Sequence, residues 1–255
     1  MSDKPVRRVP CKNPMYQDME VKAILRRDQS SSSMDAGGTH RKPKWMNAPP
    51  SDQRPLIYLS MDVETDGPVP GLYSMLSIGM AAFTLNNEIV WEHEVNLFPL
   101  EGANRDRKTM EWWQQDAQQD AWAALMVNRQ DPKEALIRLA GEIKKLKKVY
   151  RVFPIAWPAC FDWMFIQWYM HKFVGENPLG RRAKCADSYA WAISKTFHPN
   201  ISISTLLAEW EDGRFKHTHR ALDDAKEQGA KFINMLRETT QNGMDYRLNR
   251  PHRKK

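Results

Sequence analysis

Met61-Asp62-Val63-Glu64 puts two carboxylates at the end of an otherwise apolar run. Residues i and i+2 of a strand share a face, so Asp62 and Glu64 point the same way and repel unless a cation lies between them. Hard divalent ions such as Mg²⁺ take oxygen ligands, and two of them about 4 Å apart can activate a water and stabilise a leaving oxygen in phosphodiester cleavage. A solvated strand end also accommodates such a pair, so D-x-E alone decides nothing. Asp162, in Pro158-Ala159-Cys160-Phe161-Asp162-Trp163, stands where an apolar strand meets an apolar helix. An acid there equally suits the helix dipole, by a few tenths to about 1 kcal/mol. His217-Thr218-His219-Arg220-Ala221-Leu222-Asp223-Asp224-Ala225 opens another helix with histidines and two acids. Histidine titrates near neutrality and can take a proton from a nucleophilic water. In a continuous helix Asp223 falls on the side of His219, whereas Asp224 lies about 140° away, so spacing leaves the choice between them open.

These residues need a scaffold, and the pattern around them describes one. Leu56–Met61 is an apolar, β-prone run suited to a buried central strand. Runs at Met75–Phe83 and Ile89–Leu97 flank Asn86-Asn87, which tolerate the positive φ of a tight hairpin. In the third run Ile89, Trp91, His93, Val95 and Leu97 share one face. Asp131-Pro132-Lys133-Glu134 supplies an N-cap, a proline at the first helical position and a carboxylate that can complete a capping box. Ala135, Leu136, Leu139, Ala140, Ile143 and Leu146 then form a helical stripe. Val152–Trp157 is a further strand feeding a helix over Phe161–Phe173, a short strand near Ala183–Ala186 precedes a helix from Asp187, and His219–Leu236 closes the series. A hairpin of strands followed by alternating helix and strand predicts an α/β fold with a mixed sheet.

The 255 residues suffice for one sizeable core, and their formal charge is +7. Residues 1–55 hold 11 Lys+Arg against 6 Asp+Glu, and residues 244–255 hold 5 against 1. The segment 56–243 holds 22 against 24, a net of −2, so the positive excess lies outside it. Residues 1–55, with the Ser30–Ser33 run and prolines at 43, 49, 50 and 55, read as a flexible basic arm with a possible protein partner around Tyr16–Leu25, and 244–255 as a basic tail. Three scattered cysteines give no disulfide framework or zinc knuckle and point to a reducing, cytoplasmic setting. No apolar stretch has the length of a membrane span or a signal core.

Asp62-x-Glu64, Phe161-Asp162 about a hundred residues on, and His219-x-x-x-x-Asp224 together resemble the DEDDh-type 3′-to-5′ exonucleases, which include polymerase proofreading subunits, ribonuclease T and oligoribonuclease. The likeness covers roughly 56–237, and its most specific piece is His219-Arg220-Ala221-Leu222-Asp223-Asp224-Ala225. It implies an RNase H-like domain with a mixed sheet of about five strands, the second antiparallel to its neighbours, flanked by helices. It further implies that Asp62, Glu64, Asp162 and Asp224 ligate two Mg²⁺ or Mn²⁺ ions and that His219 is the general base. The five-residue step selects Asp224 and requires His219 to lie in a loop or frayed first turn. The implied activity is hydrolysis at the 3′ end of single-stranded nucleic acid or a 3′ overhang, releasing nucleoside 5′-monophosphates. Other readings are an oligoribonuclease-like enzyme for very short RNAs and a catalytically silent nucleic-acid-binding protein on the same fold.

In such enzymes the loop after the first motif holds the terminal nucleotide. By that likeness Thr65 and Gly67 contact the 3′-OH, and Leu72, Tyr73 or Met75 packs on the last base. Phe161, beside Asp162, is a further candidate substrate contact. Trp112 and Trp113 follow the third strand and are candidates for stacking on unpaired bases. Lys144, Lys145, Lys147 and Lys148 end a helix, and Arg181, Arg182 and Lys184 lie near the short strand. Either group suits a phosphate backbone as well as it suits solvent.

Overall fold

A computed structural model of the chain describes residues 52–194 and 210–248. The expected partner segment within the N-terminal arm and the last seven residues of the chain lie outside the described residues. Five strands form one sheet in the order β3-β2-β1-β4-β5, with β1 Leu56–Thr65, β2 Met75–Phe83, β3 Ile89–Asn96, β4 Arg151–Ala156 and β5 Lys184–Cys185. β2 runs antiparallel to both β1 and β3, whereas β4 is parallel to β1 and β5 parallel to β4. The mixed α/β architecture is the one anticipated from the strand pattern.

β1 is central, with nearly every residue buried, which explains its continuous apolar run. Its odd-numbered side chains, Ile57, Leu59, Met61 and Val63, join a core with α3 (Pro132–Val149) and α4 (Ala159–Val174). Tyr58, from the opposite face, packs with α5 (Ala186–Ser194) and α6 (Ala221–Leu248). Asp62 and Glu64 share the parity of Tyr58 and so belong to the α6 side of the sheet. Each large aliphatic chain buried in these cores stabilises the fold by about 1.5–3 kcal/mol.

Local signals read from the sequence act as their chemistry requires. Asn87 closes the β2–β3 hairpin with φ of 65°, and its amide also donates to Asp212 and Asn234. The Asp131 carboxylate accepts from the Glu134 amide at 3.0 Å, with Pro132 in the first turn. The capping box is only half formed, because the Glu134 carboxylate turns toward Arg138 instead, 3.8 Å away. α6 extends to Leu248, well beyond the expected end at Leu236, so the expected tail from residue 244 begins inside a helix. Between β3 and α3 lie α1 (Arg107–Trp113), a short 3-10 turn and α2 (Gln119–Leu125). Among the described residues no helix is long and apolar enough to cross a membrane.

Candidate active site

Two glycines let α6 lie close against the sheet. Gly79 on β2 pairs with Asp62, and a Cβ there would stand 2.1 Å from the Ala221 carbonyl carbon at the start of α6. Gly229, two turns on, sits against Phe83 and Ser60 in the same way. The helix start is therefore held directly over the end of β1. Asp224 enters from α6, and the Gln228 amide one turn later donates to Asp62 Oδ1 at 2.8 Å. Asp162, in the first turn of α4, accepts from the Val63 amide of β1 at 3.3 Å. Four carboxylates distant in the chain thus meet at the carboxyl end of β1.

The ligand oxygens of Asp62, Glu64 and Asp224 lie within 4.8 Å of one another. Asp62, Asp162 and Asp224 are buried and Glu64 is partly exposed. Burial, reinforced by the neighbouring carboxylates, pushes Asp62 and Glu64 well above the usual carboxylate range. Burial likewise raises Asp162 to about 8 and Asp224 to about 6. Asp162 Oδ2 is buried with no hydrogen-bond partner among the described residues. Such a set suits a hard divalent cation: clustered oxygen donors, an orphaned buried carboxylate oxygen and, among the described residues, no compensating cationic side chain at Asp62, Glu64 or Asp162.

His219 has φ of 57° and precedes α6, which starts at Ala221. The left-handed conformation breaks the helical register, as the five-residue step requires. Asp224 stabilises the turn by accepting from the amides of Thr218 at 2.7 Å and His219 at 3.1 Å. Burial, and next the adjacent His217, lowers the His219 pKa, so its ring is neutral at pH 7. His217 Nδ1 lies 3.2 Å from Asp224 and 3.8 Å from Glu227, and these acids raise its pKa. Asp223 instead accepts from the Thr218 hydroxyl at 2.9 Å, away from the cluster.

The expected substrate contacts divide. Trp113 is only 2% exposed and donates its indole N–H to the Thr65 carbonyl at 3.0 Å, so it anchors the end of β1 and cannot stack on a base. Trp112 is half-buried and meets the His219 ring edge-on at 4.9 Å. Met75 is fully buried in the sheet core and is likewise unavailable to a base. Thr65 and Gly67 are buried, and the Tyr73 ring packs on Gly67, where a Cβ would stand 2.2 Å from Tyr73 Cγ. Leu72 remains 49% exposed. Phe161 is half-buried against Phe165. Close by, Val69 and Pro70 face Met164, Trp168 and Lys172 of α4 across a groove of about 720 Å³. The sequence reading missed this groove, which unites segments about a hundred residues apart. It also missed Gln228, although a polar residue on the inward face of α6, one turn after Asp224, was a usable sign.

A five-stranded mixed sheet whose central strand ends in two acids, with a third acid from a helix start and a fourth five residues after a histidine, defines the RNase H-like, DEDDh-type exonuclease class. The fold is shared with the nuclease domain of 3′hExo, a DEDDh family member bound to rAMP, with a TM-score of 0.52 at 12% identity over 74% of this chain and 95% of that one. It is shared also with the zinc-bound Escherichia coli ExoI–ssDNA complex, with a TM-score of 0.54 at 14% identity over 76% of this chain and 43% of the longer one. More particularly, residues 58–236 match the 3′-5′ exoribonuclease Rv2179c-like domain, and the chain belongs to that family. It is 31% identical over 178 residues, 69% of its own length and 89% of the relative's, to the Escherichia coli 3′-5′ DNA exonuclease Cap18.

Proposed function

We propose that this 3′-to-5′ exonuclease shortens single-stranded RNA or DNA with the help of divalent cations held by Asp62, Glu64, Asp162 and Asp224, and that it releases nucleoside 5′-monophosphates. The observation that carries this reading is the convergence of Asp62, Glu64 and Asp224 ligand atoms within 4.8 Å. Mg²⁺ or Mn²⁺, when bound, supplies positive charge that makes a water nucleophilic and stabilises the leaving oxygen.

The remaining work falls to the chain. His219, neutral and braced edge-on by Trp112, accepts the proton of the attacking water on a ring nitrogen. Asp224 holds the His219 loop through two amide hydrogen bonds, and Gln228 fixes the Asp62 carboxylate. The groove of Val69, Pro70, Met164 and Trp168, with exposed Leu72 beside it, offers the apolar surface on which a terminal base rests.

Matched 5′-labelled RNA and DNA strands, incubated with Mg²⁺, Mn²⁺ or EDTA, test the reading. A ladder shortening from the 3′ end with either metal, lost in EDTA and with Asp62→Ala, is expected. Equal shortening by wild type and Asp62→Ala would sink it.

A further inference from the structure

The segment 144–184 holds 9 Lys+Arg against 2 Asp+Glu, within a domain whose sum over 56–243 is −2. The fold gathers most of these cations on one face. Arg54, Lys144, Lys147 and Lys148 line a groove with Glu176 and Gly180, and Arg181, Arg182 and Lys184 line an adjoining groove along Phe153 and Leu179. Neighbouring acids are already engaged: Asp52 binds Arg54, and Glu176 pairs with Lys144 at 2.7 Å. Lys145, Lys148, Arg181 and Arg182 are exposed and have no ion-pair partner among the described residues. Favourable helix-end electrostatics account for Lys147 and Lys148 in the last turn of α3, but not for Arg181, Arg182 and Lys184 on a loop and an edge strand. Lys148, Arg181 and Arg182, which lack ion-pair partners among the described residues, leave the face with a positive excess that a polyanion would neutralise.

Strand register places this face relative to the acids. Lys184 pairs with Ile155, which pairs with Ser60, two residues before Asp62. That is about 7 Å along the strand and about 10 Å across two strand spacings. Arg151, beside the end of α3, pairs with Leu56, six residues before Asp62 and so about 20 Å away. The two offsets for Lys184 combine to about 12 Å, so at about 3.4 Å per stacked nucleotide a strand whose 3′ end lies at the acids reaches this face within roughly four to six nucleotides.

We propose that the face formed by Lys144, Lys147, Lys148, Arg181, Arg182 and Lys184 is a second nucleic-acid contact, which holds the 5′ side of a long single strand while its 3′ end occupies the acid site. The inference rests on the exonuclease reading above and adds a length preference to it. Short substrates end before the face and gain nothing from it.

The 255-residue chain and a K148A/R181A/R182A variant are compared on an unstructured 30-nucleotide strand and a 3-nucleotide strand of the same bases. A R181A/R182A variant serves if the triple one melts early. Binding of the 30-mer in EDTA is followed against salt, and kcat/KM with Mg²⁺ is measured for both lengths. Three lost phosphate contacts should flatten the slope of log Kobs against log salt by about 2. The 30-mer kcat/KM at low salt should fall about tenfold, while the 3-mer stays within about twofold. An unchanged salt slope, equal losses on both lengths, or loss of binding to anionic phospholipid vesicles with 30-mer binding intact would each overturn the inference. Failure of the exonuclease reading is visible separately, as wild-type protein that leaves the 3-mer intact in Mg²⁺.

Discussion

Asp62 illustrates how the same carboxylates that suit catalysis burden the fold. It is buried, faces three other acids and accepts a single amide hydrogen bond from Gln228 among the described residues. Its folded-state pKa, like those of Glu64, Asp162 and Asp224, is raised rather than depressed. For an acid shifted in this direction, the stabilising contribution is present below the unfolded value near 3.8 and is lost as pH rises through the folded value. The window here runs from there through about 6 for Asp224 and about 8 for Asp162. Metal-free protein is therefore expected to lose thermal stability between pH 6 and 8.5, and Mg²⁺ to raise Tm more at the upper end, where the ligands need no deprotonation. Asp62→Asn keeps the shape and removes a charge. It should raise Tm in EDTA at pH 8, by about 2–4 °C per 1 kcal/mol of relieved repulsion, while lowering turnover about 10³-fold. Calorimetry beside a single-turnover assay checks both, and a variant less stable than wild type in EDTA contradicts the repulsion argument. His219→Ala, which removes the proton acceptor without touching a carboxylate, should cost about 10²–10⁴ in kcat and leave metal-induced stabilisation intact.

At the scale of elements, the site depends on how near α6 comes to the sheet. Gly79 is opposite Asp62 in the β1–β2 ladder and directly under the α6 start, so a methyl group there meets main chain that cannot rotate away. Gly79→Ala should cost about 1–3 kcal/mol of stability and lower kcat beyond what the lost folded fraction explains, because Asp224 and the His219 turn move with the helix. Denaturant melts and activity at a temperature where the variant is fully folded separate the two effects. Full activity there would show that the close approach serves packing alone. This dependence also marks what was legible in the chain. Both faces of β1, the Asn87 turn and the Asp131 cap are written in nearest-neighbour chemistry, and they were readable. The five-residue step from His219 to Asp224 was ambiguous from spacing, since only a left-handed residue before the helix reconciles the two side chains. Trp113 and Met75 were misread as substrate contacts because position along the chain does not say which way a side chain turns. The Thr65 carbonyl, 48 residues before Trp113, supplies the buried partner that decides it. The Val69–Trp168 groove is a product of tertiary contact and has no local signature.

For the whole molecule, summed charge misleads. A net of −2 over 56–243 put the positive excess outside the domain and left the lysines of 144–148 and Arg181, Arg182 and Lys184 suited equally to a phosphate backbone and to solvent. The fold instead separates the signs, with four carboxylates at the end of β1 and the cationic run of 144–184 on a neighbouring face. Residues 1–51, outside the described residues, hold a further 10 Lys+Arg against 5 Asp+Glu. The two sources of positive charge therefore make different predictions. A chain beginning at Asp52 contains every residue of the acid site and both basic grooves. It should fold with the Tm of the full chain and hydrolyse a 3-mer within about twofold of the parent rate. Its affinity for a 30-mer should fall at low salt, since five net charges are gone, yet its preference for the 30-mer over the 3-mer in kcat/KM should survive. The 144–184 face stands at a fixed separation from the acids, set by the strand register, and that fixed placement is what would align the 3′ end rather than only raise local strand concentration. If the truncated chain loses the length preference as completely as K148A/R181A/R182A does, alignment belongs to the arm, and the face beside β5 contributes charge alone.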